Sequence, residues 1–76
     1  MIVTVTYNVN GGVGTIPNGY ATVGQTYTVD FDHNPTKSGK TFDGWATSAN
    51  GAVVYSSSGT KTFTASTDRT LYAHYS

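Results

Sequence analysis

The amino-acid sequence predicts a small, mainly β domain. Thr, Val and aromatic side chains fit a pleated sheet and lose rotamer freedom in helices; the chain is rich in them, whereas leucine occurs once and glutamate never. Short alternating segments separated by Asn-Gly and other turn residues give the second indication. We therefore expect a single sheet of four to six strands with at most one short helix, at the border between mainly β and α+β.

The first half of the chain carries three extended segments. Alternation over residues 2–9 puts four apolar side chains on one face, as in a half-buried strand: Val3, Val5, Tyr7 and Val9. The following Asn10-Gly11-Gly12 tolerates positive φ angles and predicts a reversal of the chain. Looser alternation predicts strands over residues 20–23 and 27–31, and the pairing of residues 24–33 stays open.

The second half begins with a loop. Residues 34–39 contain Asn-Pro and a glycine, and because the residue before proline avoids the α region, any helix would be a turn or two over residues 32–36. Beyond it we expect strands over residues 40–47, 52–55, 61–65 and 69–75, with a turn at Asn50-Gly51 and a loop over residues 56–59.

Phe42 and Trp45 are three residues apart, on either side of Gly44. An ideal strand would point these two rings to opposite faces. Glycine in a strand often marks a bulge, and one extra residue would bring both rings to the same side. The alternative is that each ring covers a different face.

Aromatic residues must supply most of the core, because the chain has few large aliphatic side chains. The predicted structural core consists of Tyr7, Phe31, Phe42, Gly44, Trp45 and Leu71. The remaining tyrosines are candidates for contacts with a ligand, against the plainer interpretation of cross-strand packing: Tyr20, Tyr27, Tyr55 and Tyr72.

Composition argues against several classes of partner. The formal net charge is zero and 11% of residues are charged, so we expect no nucleic-acid binding. No apolar run approaches the roughly 18 residues that span a bilayer, so we expect no membrane insertion. Without cysteine there is no disulfide and no thiolate metal site.

Three patterns suggest chemistry, and each has a plainer explanation. Asp30-Phe31-Asp32-His33 offers two carboxylates and an imidazole, fewer ligands than calcium or zinc requires. Ser, His and Asp are all present, but no serine lies in a nucleophile turn. The glycines of residues 11–14 lack the lysine and the helix of a phosphate loop. We expect no catalytic residue, no metal and no cofactor, and we interpret Lys37 and Lys40 as solvated loop residues.

Several short motifs occur along the chain in the order that is known from one family of repeats. The chain resembles the Listeria-Bacteroides repeat, also called the internalin B-repeat, whose pattern is matched by Asn10, Gly11, Gly12, Pro35, Gly39, Thr41, Phe42, Gly44, Trp45, Thr70, Leu71, Tyr72 and Ala73. Lys40, Ala46 and Tyr75 depart from aromatic positions of that pattern. The resemblance implies a β-grasp-like (ubiquitin-like) module of a bacterial cell-surface protein.

The function implied by this resemblance is structural. Residues 1–76 would be one repeat module of a larger multi-repeat protein, a noncatalytic extracellular spacer or presentation domain whose partners are neighbouring modules of the same chain. The alternative is a direct adhesive binder, which recognises a host protein or glycan through surface tyrosines or an edge strand.

Overall fold

A computed structural model describes residues 1–56 and 58–76 of the chain. This part of the chain contains no helix, so the prediction of a mainly β domain is confirmed. The six strands are β1 (Ile2–Asn8), β2 (Gly19–Thr22), β3 (Thr26–Thr28), β4 (Phe42–Ala46), β5 (Thr62–Thr64) and β6 (Arg69–Tyr75).

Four of the strands form one sheet in the order β2-β1-β6-β4. β1 is antiparallel to β2 and parallel to β6, and β4 is antiparallel to β6. The N-terminal and C-terminal strands are thus parallel neighbours at the centre of this sheet. The other two strands, β3 and β5, pair antiparallel in a separate ribbon, which resolves the pairing of residues 24–33.

Residues 32–36 form no helix. Pro35 is fully buried, and Thr36 exchanges two backbone hydrogen bonds with Val13, at N···O distances of 2.6 and 2.8 Å. Because these groups pair across the chain, the segment runs extended into the next turn. The short helix that the sequence prediction allowed over residues 32–36 is therefore absent, and an isolated β-bridge between Val13 and Thr36 is found there instead.

The strand predicted over residues 52–55 is reduced to a single bridge between Tyr55 and Trp45. The N–H groups of Val54 and Tyr55 both donate to the carbonyl oxygen of Trp45, each at 3.0 Å, so the ladder stops after one step. In the predicted loop over residues 56–59, Gly59 N–H donates to Ser56, and residue 57 lies outside the described part.

The core lies on the inner face of the sheet, under the ribbon. Alternation along β1 directs Val3, Val5 and Tyr7 inward, while β4 and β6 contribute Trp45 and Leu71, both fully buried. The buried side chains that pack together into one cluster are those of Val5, Tyr7, Ile16, Val29, Trp45, Tyr55, Leu71 and Ala73.

A β-bulge brings the two rings of β4 to the same side. Phe42 lies opposite Tyr75 and Gly44 lies opposite His74, so Asp43 is the extra residue. The rings of Phe42 and Trp45 then meet edge to face, with centroids 5.2 Å apart. The bulge interpretation is confirmed, and the alternative in which the rings cover different faces is wrong.

Candidate interaction surfaces

The outer face of the sheet points away from the core. Residues that pair directly share a face, so Thr4 and Tyr20 lie side by side on this surface, as do Asn8 and Tyr72. The remaining outer positions on β1, β2 and β6 are Ile2, Thr6, Thr22, Thr70 and His74. This face is one of the surfaces that the strands leave available for a partner.

Two of the four candidate tyrosines lie on the outer face but apart from each other. Tyr20 is 64% exposed on β2, and Tyr72 is half-buried on β6. The register separates them by four residues along the strands and by two strand spacings, which gives about 16 Å. They therefore do not form one aromatic platform.

The other two candidate tyrosines contribute to the core. Tyr55 is buried, at 6% exposure, which agrees with the packing interpretation and leaves little of its ring for contact with a ligand. Tyr27 is half-buried, and the rings of both tyrosines pack on Phe63 with centroid distances of 5.4 and 5.3 Å. Tyr27 and Phe63 come from the ribbon, whereas Tyr55 is placed by its bridge to Trp45, so these contacts join distant segments that strand alternation alone does not bring together.

A buried polar network connects the rings. The Tyr7 and Tyr27 hydroxyls are hydrogen bonded to each other, and Tyr7 also accepts the N–H of Asp30 at 3.0 Å. The Trp45 indole N–H donates to the Asp30 carbonyl oxygen at 3.1 Å. Burial raises the pKa of Tyr7 and of Tyr27, and at Tyr7 the bond to Tyr27 raises the pKa further.

The predicted core residues lie in and around this network. Tyr7, Trp45 and Leu71 are in the buried cluster, and Gly44 is buried beside Tyr55. A Cβ on Gly44 would lie 2.4 Å from the Tyr55 carbonyl oxygen, which explains the need for glycine at this position. Phe31 and Phe42 are partly buried at the margin of the cluster.

Open strand edges lie on the ribbon and on β2, which among the described strands pairs only with β1. Val29 N–H donates to Lys61 and Ala65 N–H donates to Gln25, so these residues face the partner strand. In an antiparallel ladder the intervening residues point their backbone groups outward, and here those residues are Thr26, Thr28, Thr62 and Thr64. These edges could accept another strand. The edge of β4, by contrast, is partly covered by the bridge to Tyr55.

The Asp30 carboxylate caps a turn. It accepts the N–H groups of Asp32 at 2.8 Å and His33 at 3.2 Å, and it contacts the His33 imidazole at 2.9 Å. Burial alone would raise the pKa of Asp30, but these hydrogen bonds lower it below its ordinary value. Within the described residues, no group of three His, Cys, Asp or Glu side chains is arranged for a metal ion.

One Ser, His and Asp set does come together, in an order that does not activate the serine. Asp43 lies in the middle, with one oxygen 3.0 Å from His74 Nδ1 and the other accepting the Ser76 hydroxyl at 3.1 Å. A nucleophilic triad needs the imidazole between the serine and the carboxylate. Here the bulge residue Asp43 instead ties strand β4 to the end of β6.

A groove of about 360 Å³ lies where the loops meet the end of β6. It is lined by Asn10, Lys37, Lys40, Ala49, Asn50, Gly51, His74 and Tyr75. Sequence reasoning missed this groove because its residues come from four separate segments. The only signal in the sequence was the closeness of Lys37 and Lys40, which we interpreted as solvated loop residues.

The Asn-Gly-Gly turn builds one wall of this groove. Asn10 and Gly11 have φ angles of 51° and 88°, and the Asn10 side-chain amide donates to the carbonyl oxygens of Ala49 and Ala73. A Cβ on Gly12 would lie 2.1 Å from the Tyr75 hydroxyl oxygen. The motif is therefore needed for three things: the left-handed turn, the hydrogen bonds from Asn10 to two other segments, and the close approach of Tyr75 to Gly12.

Comparison with known proteins gives one family. The family model described as the Listeria-Bacteroides repeat domain matches residues 4–74. No curated protein and no solved structure matches the chain. In the described residues, no helix has the length and the apolar character needed to cross a membrane.

Proposed function

The chain belongs to the Listeria-Bacteroides repeat domain family, and on this basis we propose that it is a noncatalytic, extracellular spacer module of a bacterial surface protein. Its proposed partners are neighbouring modules of the same chain. The matched motif residues support this proposal, because Gly12, Gly44 and Trp45 are each explained by packing rather than by chemistry. Modules of this family are typical of surface proteins.

The direction of the terminal strands is the observation that carries the spacer role. The chain enters at the start of β1 and leaves at the end of β6, and these strands are parallel. Entry and exit therefore lie at opposite ends of the sheet. Asn8 pairs with Tyr72 and β6 continues to Tyr75, so Ile2 and Tyr75 are separated by about 30 Å along the strands.

This geometry matters when modules follow one another. Antiparallel terminal strands would return the chain to its starting end and place successive modules side by side. Parallel terminal strands let each module extend the protein, and the molecule is already elongated, with principal-axis extents of 40 × 22 × 22 Å.

Small-angle X-ray scattering on one, two and three tandem copies of residues 1–76 tests the spacer role. We expect the maximum dimension to increase by about 30 Å with each added copy, the distance spanned by the terminal strands. A matched three-copy chain with long Gly-Ser linkers between copies should give a broader distance distribution, because such linkers are flexible. Copies that collapse against each other without extending the particle would contradict the proposal.

The extracellular placement needs its own measurement. We expect an antibody against the module to label intact producing cells, and external protease to remove that label. Labelling only after the cells are permeabilised would contradict an extracellular placement and leave the spacer geometry untouched.

A second candidate function is adhesion through the outer face. The observation that favours it is Tyr20, a large aromatic side chain that is 64% exposed on an open sheet face. Exposed tyrosines are frequent anchors in protein interfaces and stack on sugar rings. If the module is adhesive, a host-protein or glycan array should show saturable binding that Tyr20→Ala removes.

A further inference from the structure

We propose that the groove at the end of β6 binds a single oxyanionic group, a phosphate or a sulfate, either free or as an ester. The groove is lined by Lys37, Lys40 and His74 together with Asn50, and by Asn10, whose side-chain amide already donates to Ala49 and Ala73. Nothing in the spacer role requires this site, so the two proposals stand or fall separately.

A tight turn sets the two lysines opposite each other. Lys40 N–H donates to the Lys37 carbonyl oxygen at 3.0 Å, and Gly39 has a φ angle of 74°, which is typical of the third position of a type II turn. The two lysines also pair as an isolated bridge, so their side chains leave the turn on the same side. Like charges placed this way repel each other, and an anion between them would remove the repulsion.

The charge around the groove is one-sided. The chain has four lysine and arginine residues and four acidic residues in total. Two of the four cations line the groove, whereas none of the four acids does. Asp43 contacts His74 from outside the lining, and no acidic side chain lies beside the two lysines within it. Lysine acts as a point charge toward phosphate and similar oxyanions, a role that needs no fixed bidentate geometry.

Neighbouring side chains contact two of the residues that line the groove, Lys37 and His74. The Lys37 ammonium lies 5.6 Å from the centre of the Tyr75 ring, and the Tyr75 hydroxyl donates to the Val9 carbonyl oxygen at 2.7 Å. Asp43 contacts Nδ1 of His74 at 3.0 Å, so Nε2 is the ring nitrogen left for a ligand.

The test is a titration of the ¹⁵N-labelled chain followed by amide chemical shifts, with sodium sulfate compared against sodium chloride at equal ionic strength. We expect saturable shifts with sulfate at residues 10, 37–40, 50–51 and 74, and only uniform small changes with chloride. Equal responses to the two salts, or no saturation, would overturn the proposal even if no variant were made.

Two variants separate a local site from general charge. Lys37→Gln with Lys40→Gln should weaken sulfate binding at least tenfold, and both lysines are exposed, so folding should be preserved. Lys61→Gln is the control, because it removes an exposed lysine that does not line this groove. Equal weakening by the control and the double variant would overturn the site.

Further titrations identify the source of the oxyanion. A sulfated disaccharide and its unsulfated counterpart are compared with inorganic sulfate. Binding of both, with the sulfated sugar bound more tightly than free sulfate, assigns the groove to a sulfate ester. Binding of free sulfate alone assigns it to a free ion. Equal binding of the sulfated and unsulfated sugars would show recognition of the sugar and overturn the oxyanion proposal.

Discussion

The two faces of the four-stranded sheet differ although the same strands supply both. Inward positions carry Tyr7, Trp45 and Leu71, all with exposures of 8% or less. Outward positions carry Thr6 and Thr70 side by side, with exposed side chains. The inner face is therefore the face on which burial of large side chains holds the fold together. The outer face mixes threonines with exposed larger side chains such as Ile2 and Tyr20, which are available for contacts outside the domain.

Replacing the central ring of the inner face should have the largest effect on stability. Trp45→Ala removes a fully buried indole, and such changes cost about 3 to 5 kcal/mol. A domain of this size has little more than that in total, so we expect the variant to be largely unfolded. Urea denaturation followed by circular dichroism measures the effect. A loss below about 1 kcal/mol would show that the inner face does not carry the stability of the fold.

Adding a single methyl group at the edge of the inner face should have the next largest effect. Gly12→Ala would place its Cβ 2.1 Å from the Tyr75 hydroxyl oxygen and 2.7 Å from the Thr36 carbonyl oxygen. Overpacking of this kind costs about 1 to 3 kcal/mol. Thermal denaturation should show the variant destabilised but folded.

A double-mutant cycle identifies the cause of that loss. Tyr75→Ala removes the hydroxyl and ring that the new Cβ would meet. In the Tyr75→Ala background, Gly12→Ala should therefore lower the free energy of unfolding by less than it does in the parent chain. Strictly additive costs would mean that the glycine is needed for some reason other than the close approach of Tyr75.

Local patterns in the sequence predicted the sheet face well. Alternation in residues 2–9 identified the inward side of β1, and Gly44 identified the bulge that brings Phe42 and Trp45 together. Each of these signals acts over a few residues, because side-chain direction and bulges are properties of a single strand. Such properties can be read from a short stretch of sequence.

Contacts between distant segments were not predictable in the same way. Nothing in residues 52–55 alone decides whether Tyr55 is exposed, and the bridge to Trp45 and the packing on Phe63 bury it. The groove at the end of β6 likewise depends on the Asn10 side chain reaching the carbonyl oxygens of Ala49 and Ala73. Such contacts depend on the folded arrangement of the whole chain, which no local period encodes.

The smallest effects on stability should come from removing the side-chain hydroxyl of one core tyrosine and of one exposed tyrosine. The two changes are chemically identical, so their effects can be compared directly. Tyr27→Phe removes the hydrogen-bond partner of the Tyr7 hydroxyl inside the core, which should cost about 1 kcal/mol. Tyr20→Phe removes a hydroxyl from an exposed ring and should change stability by less than about 0.5 kcal/mol. Both variants lose one oxygen atom, so urea denaturation under identical conditions compares the two environments directly. Equal losses would mean that the Tyr7 hydroxyl is satisfied by the Asp30 N–H alone, and that the division between the faces rests on ring burial rather than on polar contacts.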